Sequence, residues 1–152
     1  MTGSAHLITL DNGYTILLDC GLYQGNDKDM ESFNSNWYFD PKSIDCLILS
    51  HSHIDHSGRV PKLVKDGFRG NSYCTHATRQ LSALMLLDSA KIQERDAEYF
   101  NKRQSRKKKG IKKAFRQPLY KAGDVPLALQ QFVSLSYGRW YKIHDDVTLC
   151  FR

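Results

Sequence analysis

Residues 44–56 read IDCLILSHSHIDH. The first half, Ile44–Ser50, is almost wholly apolar, and that continuity predicts a strand buried on both faces. The second half is polar and unusual. Three of the six histidines in the chain fall between His51 and His56, with Asp55 among them. Neutral imidazole and carboxylate are good ligands for Zn²⁺. A rigid strand would fix where such a loop starts, and the loop would let its side chains converge. His51 and His53, two apart, can point the same way from extended backbone. Asp55 and His56 follow in a turn and can aim at a neighbouring point. One segment could so serve two metal ions a few ångströms apart, as two-metal hydrolases require. The HExxH helix of other zinc enzymes is absent.

Working outward, His6–Leu10 and Tyr14–Leu18 are short apolar runs separated by Asp11-Asn12-Gly13. That pattern predicts a β-hairpin. The segment from Cys20 to Pro41, rich in Gly, Asn, Asp and Ser, reads as a long functional loop. Gly58–Lys65 reads as a short helix ending at Gly67, and Ser72–Thr75 as a strand. Ala77 to about Phe100 predicts a long helix with Leu81, Leu84, Met85, Ile92 and Tyr99 among its apolar positions. Asp124–Val133 reads as a further helix. Trp140–Ile143 and Val147–Phe151 read as a second hairpin across His144-Asp145-Asp146. Strands at both ends with helices between suit a layered α/β domain. The last run reaches Phe151 and the chain stops at Arg152 without a turn, which reads as a cut.

The 152 residues carry a net charge of +6, unevenly spread. Lys102 to Arg116 contributes nine basic residues and no acid. Outside that run, 13 basic residues face 16 acids. An anionic partner is therefore expected near the run, with Lys107, Lys108, Lys109, Lys112 and Lys113 as its candidate RNA contacts. A solvated charged loop explains the same run equally well. Tyr99, Phe100 and Phe115 flank it too sparsely to imply base stacking. Cys20, Cys46, Cys74 and Cys150 form no CxxC pair and read as reduced thiols of a cytoplasmic protein. Neither a membrane span nor a signal peptide is expected. His6, His76 and His144 each stand alone, the last as an exposed turn residue.

HSHIDH matches the HxHxDH signature of the metallo-β-lactamase superfamily. Further stretches make the resemblance more specific: Thr2-Gly3-Ser4, ILLDCGLYQG over 16–25, LSHSHIDHSGRVPKLVKDGFRG over 49–70, DSAKIQE over 88–94 and PLY over 118–120. Together they resemble the beta-CASP group of RNA-processing nucleases. The resemblance implies an αββα sandwich of which residues 1–152 form an incomplete first half. On the family pattern the first strand, a third histidine ligand, the later metal ligands and the beta-CASP insertion are missing. It implies two zinc ions, with His51 and His53 on the first and Asp55 and His56 on the second. Asp55 and His56 would be the catalytic pair, and Asp19 would hold the metal loop in place by hydrogen bonds.

The implied activity is a zinc-dependent ribonuclease in the parent protein, with little activity in these residues alone. A thioester or lactone hydrolase on the same fold is an alternative. A non-catalytic fragment with a basic RNA-binding segment is another. Half a sandwich also leaves a sheet face open, so self-association is expected.

Overall fold

A computed structural model describes residues 3–25, 30–106 and 115–152. Its main sheet has five strands: β1 (His6–Thr9), β2 (Thr15–Leu18), β3 (Cys46–Ile48), β4 (Asn71–Thr75) and β5 (Phe132–Leu135). They lie side by side in that order. β1 and β2 are the antiparallel hairpin that Asp11-Asn12-Gly13 predicted, with Gly13 at φ 87° in its turn. From β2 to β5 every pairing is parallel, so these four strands all deliver their following loops to one edge. β6 (Tyr141–His144) and β7 (Val147–Leu149) form a separate antiparallel pair.

The helices are α1 (Met30–Ser35), α2 (Ile54–Ser57), α3 (Val60–Lys65), α4 (His76–Ser105) and α5 (Asp124–Leu129). One sheet face is covered across β2 to β5, while Leu7 of β1 on the same face is exposed. Leu17 and Leu47 on that face are wholly buried and cluster with Val60, Leu63 and Phe68 around α3, and with Ala128 of α5. The facing register of Leu17 with Leu47, and of Ser72 with Phe132, puts these on one side. The other side carries Leu18, Ile48, Tyr73 and Val133, which are half-buried, and Ile16, Cys46, Thr75 and Leu135, which are buried. A second cluster joins Leu86 and Ala90 of α4 to Tyr120 and Val125. Among the described residues no helix is long and apolar enough to cross a membrane.

Three expectations are corrected, for the Cys20–Pro41 loop, the Asp124–Val133 helix and His144, and the packing of α4 is new. The expected loop from Cys20 to Pro41 contains α1, whose Asn34 is buried because its side-chain amide bonds both the amide and the carbonyl of Tyr23. The helix expected over Asp124–Val133 stops at Leu129, and Phe132–Leu135 is instead the strand β5, captured by pairing with β4. On α4, Leu81, Leu84, Ile92 and Tyr99 are 51%, 70%, 49% and 65% exposed. The side that packs carries Thr78, Ser82, Leu86, Ala90 and Ala97. Small side chains let the helix approach its neighbours closely, and the large ones are left outside. His144 is not a free turn residue, since its ring stacks on Tyr14 at 4.0 Å.

Candidate metal centre

The loop that carries the histidines leaves β3 and turns at once into α2. Ser50, His51, Ser52 and His53 are extended or irregular; Asp55 and His56 lie on the helix. The loop is tied to two other segments mainly by backbone. The Ser4 amide donates to the Asp55 carbonyl at 2.7 Å, the Cys20 amide to the His56 carbonyl at 2.7 Å, and the Leu22 amide to the Ile54 carbonyl at 2.9 Å. Gly21 sits where these strands of chain meet. A Cβ there would stand 1.7 Å from the Asp55 carbonyl oxygen, so only glycine allows the approach. The stretches around Ser4, Asp19–Leu22 and His51–His56, distant in sequence, thus form one unit.

Asp19 follows β2 and is buried. Its backbone is left-handed, φ 61°, the one non-glycine residue so placed among those described. Aspartate tolerates that conformation better than most residues, at some cost in strain. The carboxylate is fully used. It accepts the Ser50 amide at 2.8 Å and the Ser50 hydroxyl at 2.9 Å, and its other oxygen meets His56 Nδ1 at 2.8 Å.

These bonds select tautomers. An ionised carboxylate only accepts, so His56 Nδ1 carries the hydrogen and Nε2 keeps its lone pair. The Ser50 hydroxyl spends its hydrogen on Asp19. Its oxygen, 2.9 Å from His51 Nδ1, then accepts a hydrogen from that ring, and His51 Nε2 is likewise left as a donor atom for a metal. One aspartate so readies two imidazoles, the second through Ser50.

The expected ligands come together. The His51 ring lies 4.0 Å from that of His56 and 4.7 Å from that of His53, edge-on. His56 Nε2 is 3.8 Å from Asp55 Oδ2. Burial pushes the His51 imidazole below its usual pKa, and the nearby His56 and His53 push the same way, which keeps it neutral and able to ligate. Among the described residues, no three His, Cys, Asp or Glu side chains are already set to hold one ion. The site instead offers donors in pairs, and their chemistry fits a zinc-type cation: free imidazole lone pairs beside a carboxylate.

Sequence reasoning missed two supporting residues. Ser50 looked like the end of a strand, yet it links Asp19 to His51. Arg59 is buried and donates to the carbonyls of Gly21 at 2.7 Å and Phe33 at 2.9 Å, while its guanidinium lies 4.6 Å over Trp37. It fastens the Cys20–Pro41 segment behind the metal loop. Its position three residues past His56, in a polar run before Val60-Pro61, gave no sign of this. The DSAKIQE and PLY stretches prove to be one joint. The Tyr120 hydroxyl donates to Ser89 at 3.1 Å, and the Leu119 amide to Gln93 at 3.1 Å.

Lys107, Lys108, Lys109, Lys112 and Lys113 lie outside the described residues. Of the same basic run, Lys102 and Arg103 form the last turn of α4, and Arg116 pairs with Glu31 at 3.1 Å.

Comparison with known families and proteins matches residues 1–124 to the metallo-beta-lactamase superfamily. A ribonuclease of Thermus thermophilus is 35% identical over 143 residues, spanning 94% of this chain and 27% of that protein. A transcription termination factor, FttA, of a Lokiarchaeum is 35% identical over 134 residues, 88% of this chain and 18% of its own length. Subunit 3-I of the cleavage and polyadenylation specificity factor of Arabidopsis thaliana is 38% identical over 81 residues, 53% of this chain and 12% of that protein. The chain therefore spans about a quarter or less of the length of these relatives.

Proposed function

The chain belongs to the metallo-β-lactamase superfamily, and from that premise we propose that it carries the metal loop of a zinc-dependent, beta-CASP-type phosphodiester hydrolase acting on RNA. The observation that carries the reading is the hydrogen bond that His56 Nδ1 donates to Asp19, with His56 Nε2 turned toward Asp55. One carboxylate holds Nδ1 while Nε2 keeps its lone pair beside a second, the arrangement by which outer partners orient a metal-ligating histidine. The similarity to a ribonuclease and to a cleavage and polyadenylation factor subunit supports RNA as the substrate.

His51 and His53 would hold one zinc ion, and Asp55 and His56 the other. Such ions, when bound, lower the pKa of water and neutralise charge on phosphoryl oxygens. The protein's own part is positional. Asp19 fixes the rings of His56 and, through Ser50, of His51, as outer partners of metal-bound histidines do elsewhere. Asp55 and His56 would act on the reacting phosphate through the ion they hold, Asp55 also helping to orient the attacking water. The buried free thiols of Cys20, Cys46 and Cys74 support a cytoplasmic setting.

The test has two parts. Elemental analysis of the purified chain should find zinc, reduced in both His51→Ala and His56→Ala. Single-stranded RNA should be cut by the complete protein, in a chelator-sensitive manner, and not by its Asp55→Ala variant. Equal cleavage by both would remove Asp55 from the reaction. Absence of zinc from the complete protein would remove the metal reading altogether.

A further inference from the structure

The ribonuclease reading says nothing of where the strand lies on this chain. Resting on that reading, we propose that single-stranded RNA leaves the metal loop across the carboxyl edge of the sheet and stacks its bases on Tyr137 and Trp140, with Arg139 and Arg152 meeting its phosphates.

The placement comes from strand register. Ile48 of β3 is level with Tyr73 of β4, which is level with Val133 of β5. All three strands run the same way. Their continuations therefore leave the sheet at one edge: His51 after β3, His76 after β4, and Ser136-Tyr137 after β5. Two strand spacings, about 10 Å, separate the first from the last. Between them lies the amino end of α4, where His76 and Arg79 are exposed.

The patch is held in shape. Gly138 takes φ 70°, and its amide donates to the Phe151 carbonyl at 2.8 Å. Tyr137 bridges to Phe151, and its hydroxyl reaches Thr75 Oγ1 at 3.5 Å. The Arg152 guanidinium sits 5.8 Å over the Trp140 ring. Yet Tyr137 is 61% exposed and Trp140 65%. Two large rings are thus presented to solvent at the edge that carries the metal loop, on a turn braced from behind.

The charge suits a polyanion. No acid occurs from Val125 to His144. Lys142 is taken by Asp145 at 3.0 Å; among the described residues, Arg139 and Arg152 have no carboxylate partner. Exposed rings interleaved with arginines whose charge no carboxylate neutralises, Arg152 against Trp140 and Arg139 beside Tyr141, are the elements of a sequence-tolerant single-strand platform, because every base offers a face to stack. A duplex keeps its faces covered and would gain only the phosphate contacts.

The probe is a fluorescein-labelled single-stranded oligoribonucleotide, titrated with the chain in chelator so that nothing is cut. Anisotropy gives affinity, repeated over a range of salt. Trp140→Ala and Tyr137→Ala should each weaken binding about tenfold, with the salt slope unchanged. Arg139→Gln and Arg152→Gln should each flatten that slope by about 0.7. Circular dichroism melting checks that each variant folds, and Trp140→Phe should retain most of the affinity. Parent-like affinity in folded Trp140→Ala and Tyr137→Ala would overturn the proposal, as would failure of the oligonucleotide to bind at all. Metal-dependent cleavage by the complete protein is measured separately. Cleavage with Trp140-independent binding removes the patch alone. Trp140-dependent binding without cleavage by the complete protein keeps the patch and removes the ribonuclease reading.

Discussion

The metal loop and the outer face of α4 are opposite cases. The loop is a polar segment in which the groups needing partners have them: Asp19 serves Ser50 and His56, Ser57 bonds the Ser52 carbonyl at 2.8 Å, and Arg59 is buried against carbonyls. The face of α4 is an apolar segment whose large side chains, Leu81, Leu84, Ile92 and Tyr99, stand in solvent. In the loop, buried polar groups enforce a single arrangement, because each one left unpaired would cost about 1–3 kcal/mol. On the helix, apolar exposure imposes no such geometry. A pattern of large apolar residues therefore located less of the buried structure here than a pattern of polar ones did.

The strongest way to break this contrast is to fill the gap that brings the segments together. Gly21→Ala should destabilise the fold by about 3 kcal/mol or more, since the Asp55 carbonyl has nowhere to go; urea unfolding measures it. A loss under about 0.5 kcal/mol would mean the loop is as yielding as the helix face. A subtler probe is Asp19→Asn, which tolerates the left-handed backbone but no longer anchors both tautomers. Zinc affinity, read by competition with a chromophoric chelator, should fall about 10- to 100-fold, with the urea midpoint nearly unmoved. Unchanged affinity would leave Asp19 a purely structural carboxylate. The smallest effect belongs to the other region. Leu84→Gln should change stability by no more than about 0.5 kcal/mol, and light scattering should show less self-association than in the parent chain. Destabilisation well above that would mean the helix face is covered in solution.

Much of the layout was legible because local chemistry dictated it. Asp11-Asn12-Gly13 between apolar runs specifies a hairpin whatever surrounds it, and the apolar run from Ile44 marks the strand β3, although only Ile44, Cys46, Leu47 and Leu49 of it are buried, Ile48 is half-buried, and Asp45 and Ser50 are exposed. The clustering of His51, His53, Asp55 and His56 was equally plain, since residues that close in sequence cannot lie far apart. What escaped were long-range effects. Phe132–Leu135 continues a helical pattern and becomes a strand only because β4 offers an edge. Asp19 could be assigned its place from the family resemblance, but its left-handed backbone and its link through Ser50 to His51 depend on how β2 and β3 align. On α4, burial went to Thr78, Ser82 and Ala90 because close approach rewards small side chains, a property that hydrophobicity does not encode.

The backbone ties of Ser4 and Cys20 to Asp55 and His56 have a consequence for how the protein is made. During synthesis the histidines emerge after the segments that must receive them, but β3 must first find β2 across the whole of the Cys20–Pro41 excursion. Until that pairing closes, Asp19 is out of reach, and His51 and His56 are ordinary rotating side chains. Formation of the Asp19 to His56 bond would therefore serve as a timer, marking the moment at which β2 and β3 have closed.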